Sequence, residues 1–300
     1  MHMNSKKKFV HYLLIDGTSY LYRSYYSFSI LSNKSDTPSG AIYGVIRMLK
    51  TLSKKYPKSQ IIIIFDSPTK NFRHILFQPY KANRPNMPTN LKLQIKPLYE
   101  IIKAMGFPIV IIPYFEADDI IGTLSHAANK EQKFTLICTN DKDLAQLVNI
   151  NVNILESKYN TILGEQEIKH KYGVIPTLIP DLLGLMGDKS DNIPGIPTIG
   201  KKTALTLLKH FRSLEDIYNR IDEISQQYSF KRAKHITKML IIHKNLAFLS
   251  KKLATIKTDV IINKSINEIK MFKPSTYKLA HFFKYYKFYH WLKLLKEETW

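Results

Sequence analysis

The sequence has a single cysteine, Cys138, among 300 residues, so no disulfide can form within the chain and a reducing compartment is its simplest home. No apolar run approaches the ~20 residues that a membrane-spanning helix requires. The opening MHMNSKKKFVHYLLID is basic, but its apolar part is short and already carries Asp16, which argues against a secretory signal. A soluble, cytoplasmic protein is expected. Acid is scarce as well, with 24 Asp and Glu against 45 Lys and Arg and a formal net charge of +21. A surface so short of acid suits polyanions, of which nucleic acid is the commonest large one. A genome biased towards Lys, Ile, Asn and Tyr would produce part of the same excess, so charge alone does not decide the partner.

What is present is enough hydrophobic sequence, 44%, for one large domain or two smaller ones. Four continuous apolar runs, 10–15, 60–65, 109–112 and 134–139, read as strands of a parallel sheet buried on both faces. Helical patterns over 42–54, 91–105 and 118–130 separate them, which gives the β-α-β alternation of an α/β fold. Residues 67–90 are rich in Lys, Arg, Asn and Pro, and Pro68, Pro79, Pro85 and Pro88 discourage one long helix. A segment of that length is more often a lid or binding element than a passive loop. Beyond Lys171 strand signals fade and short helices dominate. The expected division is an α/β domain over 1–170, including segment 67–105, and a helical region over 171–300 with a Gly-rich motif at 195–204. The Tyr, Phe and Lys of 275–295 have helical spacing that favours core packing over base stacking.

The scarce acids are concentrated. Nine of them fall in five short groups: Asp16, Asp66, Glu116 with Asp118 and Asp119, Asp141 with Asp143, and Asp188 with Asp191. Most end a hydrophobic run, and ligands of α/β folds bind beyond the carboxyl ends of strands. Two carboxylates about 5 Å apart repel by roughly 3 kcal/mol at an effective dielectric near 20, so such a cluster needs cations. Oxygen-only donors point to Mg²⁺ or Mn²⁺ rather than zinc. Each group has an ordinary reading too: an acidic helix N-terminus for EADD, and turns for TNDKD and GDKSDN. Their coincidence in one basic protein favours a site for two or more divalent ions, which can activate water and stabilise both the attacking and leaving oxygens at phosphorus.

Two further blocks fit a phosphate substrate. In GIPTIGKKTA, Gly195 and Gly200 allow a tight backbone path, and the amides that follow can hold a phosphate with Lys201, Lys202 and Thr203. The GxxxxGK[ST] pattern is missing, which weighs against nucleotide triphosphate hydrolysis. In QPYKANRP, Tyr80 stands beside Lys81 and Arg84, a combination suited to an unpaired base next to a phosphate, although a solvated basic loop would look the same. Tyr22 and Arg23 could meet nucleic acid or pack.

Taken in order, LIDGTSYLYRSYY, FDSP with FRHILFQPYKANRPNMP, EADDIIGTL, TNDKDLAQLV, LMGDKSDNIPGIPTIGKKTA and LATIKTDV resemble the blocks of the 5′-nuclease family, and within it the 5′→3′ exonuclease domain of bacterial DNA polymerase I. The likeness covers nearly the whole chain. It implies a PIN-like α/β fold whose central, mostly parallel sheet is flanked by helices, with a helical arch and a helix-hairpin-helix motif in the C-terminal region. It further implies a structure-selective 5′→3′ exonuclease and flap endonuclease acting on DNA with 5′ flaps, nicks or RNA primers. All nine acids match family ligands, with Asp16 and Asp188 expected to act through water. Lys81 and Arg84 match residues that engage the scissile phosphate, and Tyr80 one that stacks near the reacting nucleotide. Arg73, Tyr22, Arg23, Gly195, Ile199, Gly200, Lys201, Lys202 and Thr203 match DNA contacts, with K⁺ at the hairpin. Thr198 and Asn140 stand where the family has glycine, and Asn tolerates left-handed backbone. Because the sequence stops at Trp300, a monomeric nuclease serving a polymerase in trans is expected. A silent DNA-binding relative and a metal-dependent ribonuclease are the alternative readings.

Overall fold

The apolar runs fold as strands and the amphipathic stretches between them as helices. A computed structural model describes residues 8–28, 37–156, 159–224, 232–297 and 300. Its strands are β1 (Tyr12–Asp16), β2 (Gln60–Ile64), β3 (Ile109–Val110), β4 (Thr135–Thr139), β5 (Val152–Glu156) and β6 (Thr161–Leu163). Helices α1 (Gly17–Ser27), α2 (Gly40–Lys55), α3 (Phe72–Leu76), α4 (Thr89–Ala104) and α5 (Ala117–Lys130) precede β4 in sequence. The later ones are α6 (Glu165–Tyr172), α7 (Ile179–Met186), α8 (Lys201–Phe211), α9 (Leu214–Asn219), α10 (Ile221–Ile224), α11 (Ala233–Ile242), α12 (Lys244–Ala254), α13 (Thr276–Tyr285) and α14 (Tyr289–Lys296).

Packing divides the chain into two units. The first comprises 1–68, 86–140 and 258–300, and the second 69–85 and 141–257. This differs from a single cut near 170, because the C-terminal segment adds to the core of the first unit. Tyr12 donates to Asn267 Oδ1 at 2.6 Å, Gln60 Nε2 to the Ile269 carbonyl, and Phe272 N–H to the Gly106 carbonyl. Trp291 of α14 stacks on Tyr43 of α2 with ring centroids 4.6 Å apart, and Leu279 and Phe283 are fully buried. The aromatics expected to pack do so, while Tyr277, Tyr285 and Tyr289 stay exposed.

In the first unit the strands run parallel in the order β3-β2-β1-β4, with Tyr12 level with Gln60 on one side and Thr135 on the other. Every residue of β1 and β4 is buried, as expected for continuous apolar strands covered on both faces. Strand β3 is shorter than its apolar run predicts. Pro113 cannot donate to a ladder, and Tyr114 turns the chain with φ of 68°, so pairing ends at Val110. Gln94 of α4 accepts from the N–H groups of Ala41 and Ile42 at 2.8 and 3.3 Å, which satisfies the start of α2 from a distant helix.

In the second unit β5 and β6 form an antiparallel pair, and α7 packs on α12. Asp181 Oδ1 ties this helical core together, accepting from Leu214 N–H at 2.7 Å and Lys251 Nζ at 2.8 Å. Segment 67–90 is not one helix: it holds α3 and a run of turns, and α4 begins at Thr89. Phe283→Ala should lower unfolding free energy by about 3–5 kcal/mol, read from urea denaturation, because the ring is fully buried between Trp291 and Trp300.

Candidate metal centre and nucleic-acid contacts

Five of the nine acids belong to the first unit, at the ends of β1 and β2 and the start of α5. Asp16 is the last residue of β1 and caps α1, with Oδ1 accepting from Ser19 N–H at 2.9 Å and Oδ2 from the Thr139 hydroxyl at 2.7 Å. Asp66, two residues past β2, takes the Ala117 N–H at 2.7 Å, so the positive end of α5 steadies its charge. Glu116 is the N-cap of α5, and its N–H donates to Asp119 Oδ2 at 3.3 Å. Asp119 is fully buried and Asp118 half-buried. The helix-start reading of EADD is thus correct as local structure, and the Asp66–Ala117 bond ties the end of β2 to this helix start. Burial and the Asp66 charge push the Tyr99 hydroxyl up to about 12.

Four acids belong to the second unit, and two loops hold them. After β4, Asp143 N–H donates to Asp141 Oδ1 at 2.9 Å as the chain enters the 3-10 turn Asp143–Leu147. Residues 188–193 form a loop closed by reciprocal backbone bonds between Asp188 and Ile193, both 2.8 Å. Gly187 makes this closure possible: its φ is 71°, and a Cβ there would sit 2.6 Å from the Ile193 carbonyl oxygen. Segment 79–84 is fastened to the same loop. Lys81 N–H donates to the Asp191 carbonyl, Asn83 Nδ2 to the Lys189 carbonyl and Asn192 Nδ2 to the Pro79 carbonyl.

Three cations lie among these four acids. Lys142 Nζ is 2.5 Å from Asp188 Oδ2 and 3.3 Å from Asp143 Oδ1. Arg84 reaches Asp191 Oδ1 at 2.5 Å, and Lys81 Nζ lies 3.6 Å from Asp191 Oδ2. Burial opposes the Lys142 charge, but Asp143 and Asp188 outweigh it and hold the ammonium above its ordinary pKa. Burial also opposes the Asp188 charge, and hydrogen bonds from Lys142 and Ser190 more than offset it, so that carboxyl falls below the usual range. Asp143 is driven the other way: burial first, then Asp141, raise it to about 7.

Asp143, Asp188 and Asp191 each offer one oxygen, all within 4.8 Å of one another. Asp143 Oδ1 is buried and accepts no hydrogen bond, despite Lys142 nearby. A buried carboxylate oxygen in that condition is costly, and a hard divalent cation would satisfy it. The donor set therefore fits a hard divalent cation. Asp188, expected to act through water, is one of these three. Lys142 carries no expectation from the sequence; its position between two aspartates in DKD is the available signal.

Other expected contacts are distributed differently. Arg73 is not a surface contact: it is 2% exposed, with Nε donating to the Leu253 carbonyl at 2.8 Å and a terminal nitrogen to the Thr255 carbonyl at 3.0 Å. Tyr80 is also buried, with its hydroxyl 3.2 Å from Asp191 Oδ2, so no open ring face is offered for stacking. Tyr22 is half-buried and Arg23 exposed on α1. In the hairpin block, Ile196 and Ile199 are buried anchors, Gly195 N–H donates to the Ser250 hydroxyl at 3.0 Å, and Gly195 has φ of 62°. Gly200 caps α8, no heavy atom lies within 4 Å of where its Cβ would be, and Lys201 and Lys202 are exposed. Thr198 takes φ of 69°, so this β-branched residue keeps the left-handed turn that glycine would supply. Asn140 is not among the positive-φ residues, and its tolerance of left-handed backbone is not used.

Arg73→Ala should cost about 2–4 kcal/mol of stability in a denaturation curve, since one buried and one partly buried carbonyl lose their donor. A pH effect follows from Asp143. Its folded-state pKa lies above that of an unfolded carboxylate, so the metal-free protein loses this group's contribution to stability as pH rises from the ordinary carboxylate value to about 7. A bound cation must displace that proton, so the thermal shift caused by Mg²⁺ should be larger at pH 8 than at pH 5.5.

Known proteins match this arrangement along its length. Residues 11–173 match the family model described as 5'-3' exonuclease, N-terminal resolvase-like domain, and 174–277 the model described as 5'-3' exonuclease, C-terminal SAM fold. A 5'-3' exonuclease of Buchnera aphidicola subsp. Baizongia pistaciae is 58% identical over 98% of this chain and 97% of its own length. DNA polymerase I of Pseudomonas aeruginosa is 40% identical over 96% of this chain, which spans 31% of that protein. Among solved structures, T5 5'-exonuclease with bound zinc superposes with a TM-score of 0.67 at 21% identity, over 81% of this chain and 89% of its own. The catalytic core of Rad2 in complex with DNA substrate gives 0.61 at 15% identity, over 92% and 87%. Both likenesses concern the fold. By its two matched domains and its close relatives, the chain belongs to the 5′-3′ exonuclease family.

Proposed function

We propose that this chain is a structure-selective 5′→3′ exonuclease and 5′-flap endonuclease that hydrolyses phosphodiesters of DNA and of RNA primers. The observation that carries the reading is the Asp143, Asp188 and Asp191 cluster, with one buried oxygen lacking a hydrogen bond, fastened directly to the segment bearing Lys81 and Arg84. Asp143, Asp188 and Asp191, with Asp141, would be ligands to Mg²⁺ or Mn²⁺, as would Asp16, Asp66, Glu116, Asp118 and Asp119 of the first unit, with two or more ions per chain. When bound, those ions supply Lewis-acid stabilisation of charge developing at phosphorus.

The chain's own groups do the rest. Lys81 and Arg84 now neutralise Asp191, and in the loaded enzyme they turn to the scissile phosphate, whose charge takes the place of the carboxylate's. Arg84 has the fork geometry for two phosphate oxygens, whereas Lys81 is a compact point charge. Tyr80 reaches a nucleotide base only if its bond to Asp191 gives way, so stacking accompanies this exchange. The hairpin block grips the duplex: open space at Gly200 admits a phosphate to the start of α8, and Lys201, Lys202 and Thr203 stand beside it. Thr198 preserves the turn in which K⁺ would be held. Gly195 and Ile199 position that turn, and Tyr22 and Arg23 add contacts to the strand near the cut. The enzyme works as a cytoplasmic monomer on flaps, nicks and primer ends, with a polymerase in trans.

Purified protein should cut a 5′-flap duplex in Mg²⁺ and stop in EDTA, and Asp143→Asn should slow cutting at least about 100-fold; undiminished cutting in EDTA would overturn the mechanism. Lys81→Ala should reduce single-turnover cleavage by about 100-fold with little change in duplex affinity. Lys202→Ala should instead weaken binding and reduce the salt slope by about 1, measured by anisotropy.

A further inference from the structure

Elsewhere in the first unit several lysines meet carboxylates: Lys103 with Glu100 at 3.1 Å, Lys133 with Glu131 at 2.6 Å and Lys293 with Glu297 at 3.8 Å. One group of cations is arranged otherwise. Arg47, Lys50, Thr51 and Lys54 on the second half of α2 and His290 of α14 line an open cavity of about 440 Å³ whose apolar wall is Trp291, and among the described residues no carboxylate lines it. Positions 47, 50, 51 and 54 have the spacing that puts side chains on one helix face. Lys50 Nζ is held 4.0 Å above the Trp300 ring, and burial together with the Lys54 charge lowers its pKa. Arg47, Lys50 and Lys54 are thus crowded into a concave surface with no carboxylate in its wall among the described residues.

Helix polarity accounts for part of this. Lys54 and Lys55 are in the last turn of α2, where cations complement the helix dipole. It does not account for Arg47, two turns earlier, for half-buried Lys50, or for His290 arriving from another helix. The cavity is also separate from the acidic site. Helix α2 leads into the beginning of β2, whereas Asp66 follows its end, and five strand residues span roughly 17 Å.

We infer that this cavity is a second nucleic-acid contact, which holds the phosphate backbone of a strand running on from the cut. The inference rests on the nuclease reading above, since it takes the same polyanion as ligand. Arg47 to Lys54 covers about 10 Å of helix axis, room for about three successive phosphates of a duplex strand. Trp291 is buried, so binding there is by charge rather than stacking, independent of sequence and sensitive to salt. The contact extends the footprint beyond the reacting nucleotides and lengthens residence on long substrates.

The test compares wild type with R47A/K50A/K54A on two flap substrates, one with long duplex arms and one trimmed to about six base pairs on each side. Binding is read by anisotropy without divalent metal, over a range of salt. The triple variant should bind the long substrate about tenfold more weakly at low salt, with the salt slope reduced by about 2–3, and should bind the short one as wild type does. Thr51→Glu, which places an anion amid the cations with little disturbance of the helix, should reproduce the loss on the long substrate. Cleavage of the short substrate in Mg²⁺ should be unchanged in both variants. Unaltered affinity and slope on the long substrate for properly folded variants would overturn the inference. Failure of the nuclease reading is distinguishable, because wild type itself would then leave both substrates uncut.

Discussion

Repulsion among close-set carboxylates is the constraint on which the second unit is built. Asp141, Asp143, Asp188 and Asp191 lie in two loops, and without compensation their charges would drive those loops apart. The protein answers with Lys142 between Asp143 and Asp188 and with Lys81 and Arg84 on Asp191. One oxygen, Asp143 Oδ1, is left without a hydrogen bond, and burial, then the Asp141 charge, raises the pKa of that group. Internal cations hold the site together and leave a vacancy in its hydrogen bonding that a divalent ion is suited to fill.

The same economy links binding to chemistry. A residue that pairs with Asp191 in the free protein is already positioned beside the carboxylates, so presenting it to a phosphate requires a change of partner rather than a long movement. Backbone bonds from Lys81 to Asp191 and side-chain bonds from Asn83 and Asn192 keep that segment in place during the exchange. The hairpin, by contrast, is anchored by buried Ile196 and Ile199 and exposes Pro197, Thr198, Gly200, Lys201 and Lys202. In the function proposed above, its contribution is grip and that of Lys81 and Arg84 is catalysis.

Much of this was legible in the sequence because it depends on local pattern. Continuous Ile and Leu runs can hardly be anything but buried strands, and carboxylates just after them fall at the strand ends. What could not be read depends on distant partners. Arg73 in a Lys- and Arg-rich segment looks like a nucleic-acid contact, yet its guanidinium serves carbonyls about 180 residues away. Tyr80 turned inward for the same reason, since its hydroxyl partner is Asp191. The C-terminal tail was assigned to the later domain because sequence order suggested it, whereas its aromatics complete the core around Tyr43. Thr198 shows the reverse case, in which a departure from glycine left the left-handed turn intact.

The central claim is that the carboxylates of the second unit bind divalent metal in exchange for part of their internal balance. Counting bound Mn²⁺ by electron paramagnetic resonance, in wild type and in Asp143→Asn, tests it most directly. The account predicts two or more tightly bound ions per chain in wild type and at least one fewer in the variant. Equal Mn²⁺ binding by the two proteins would contradict it.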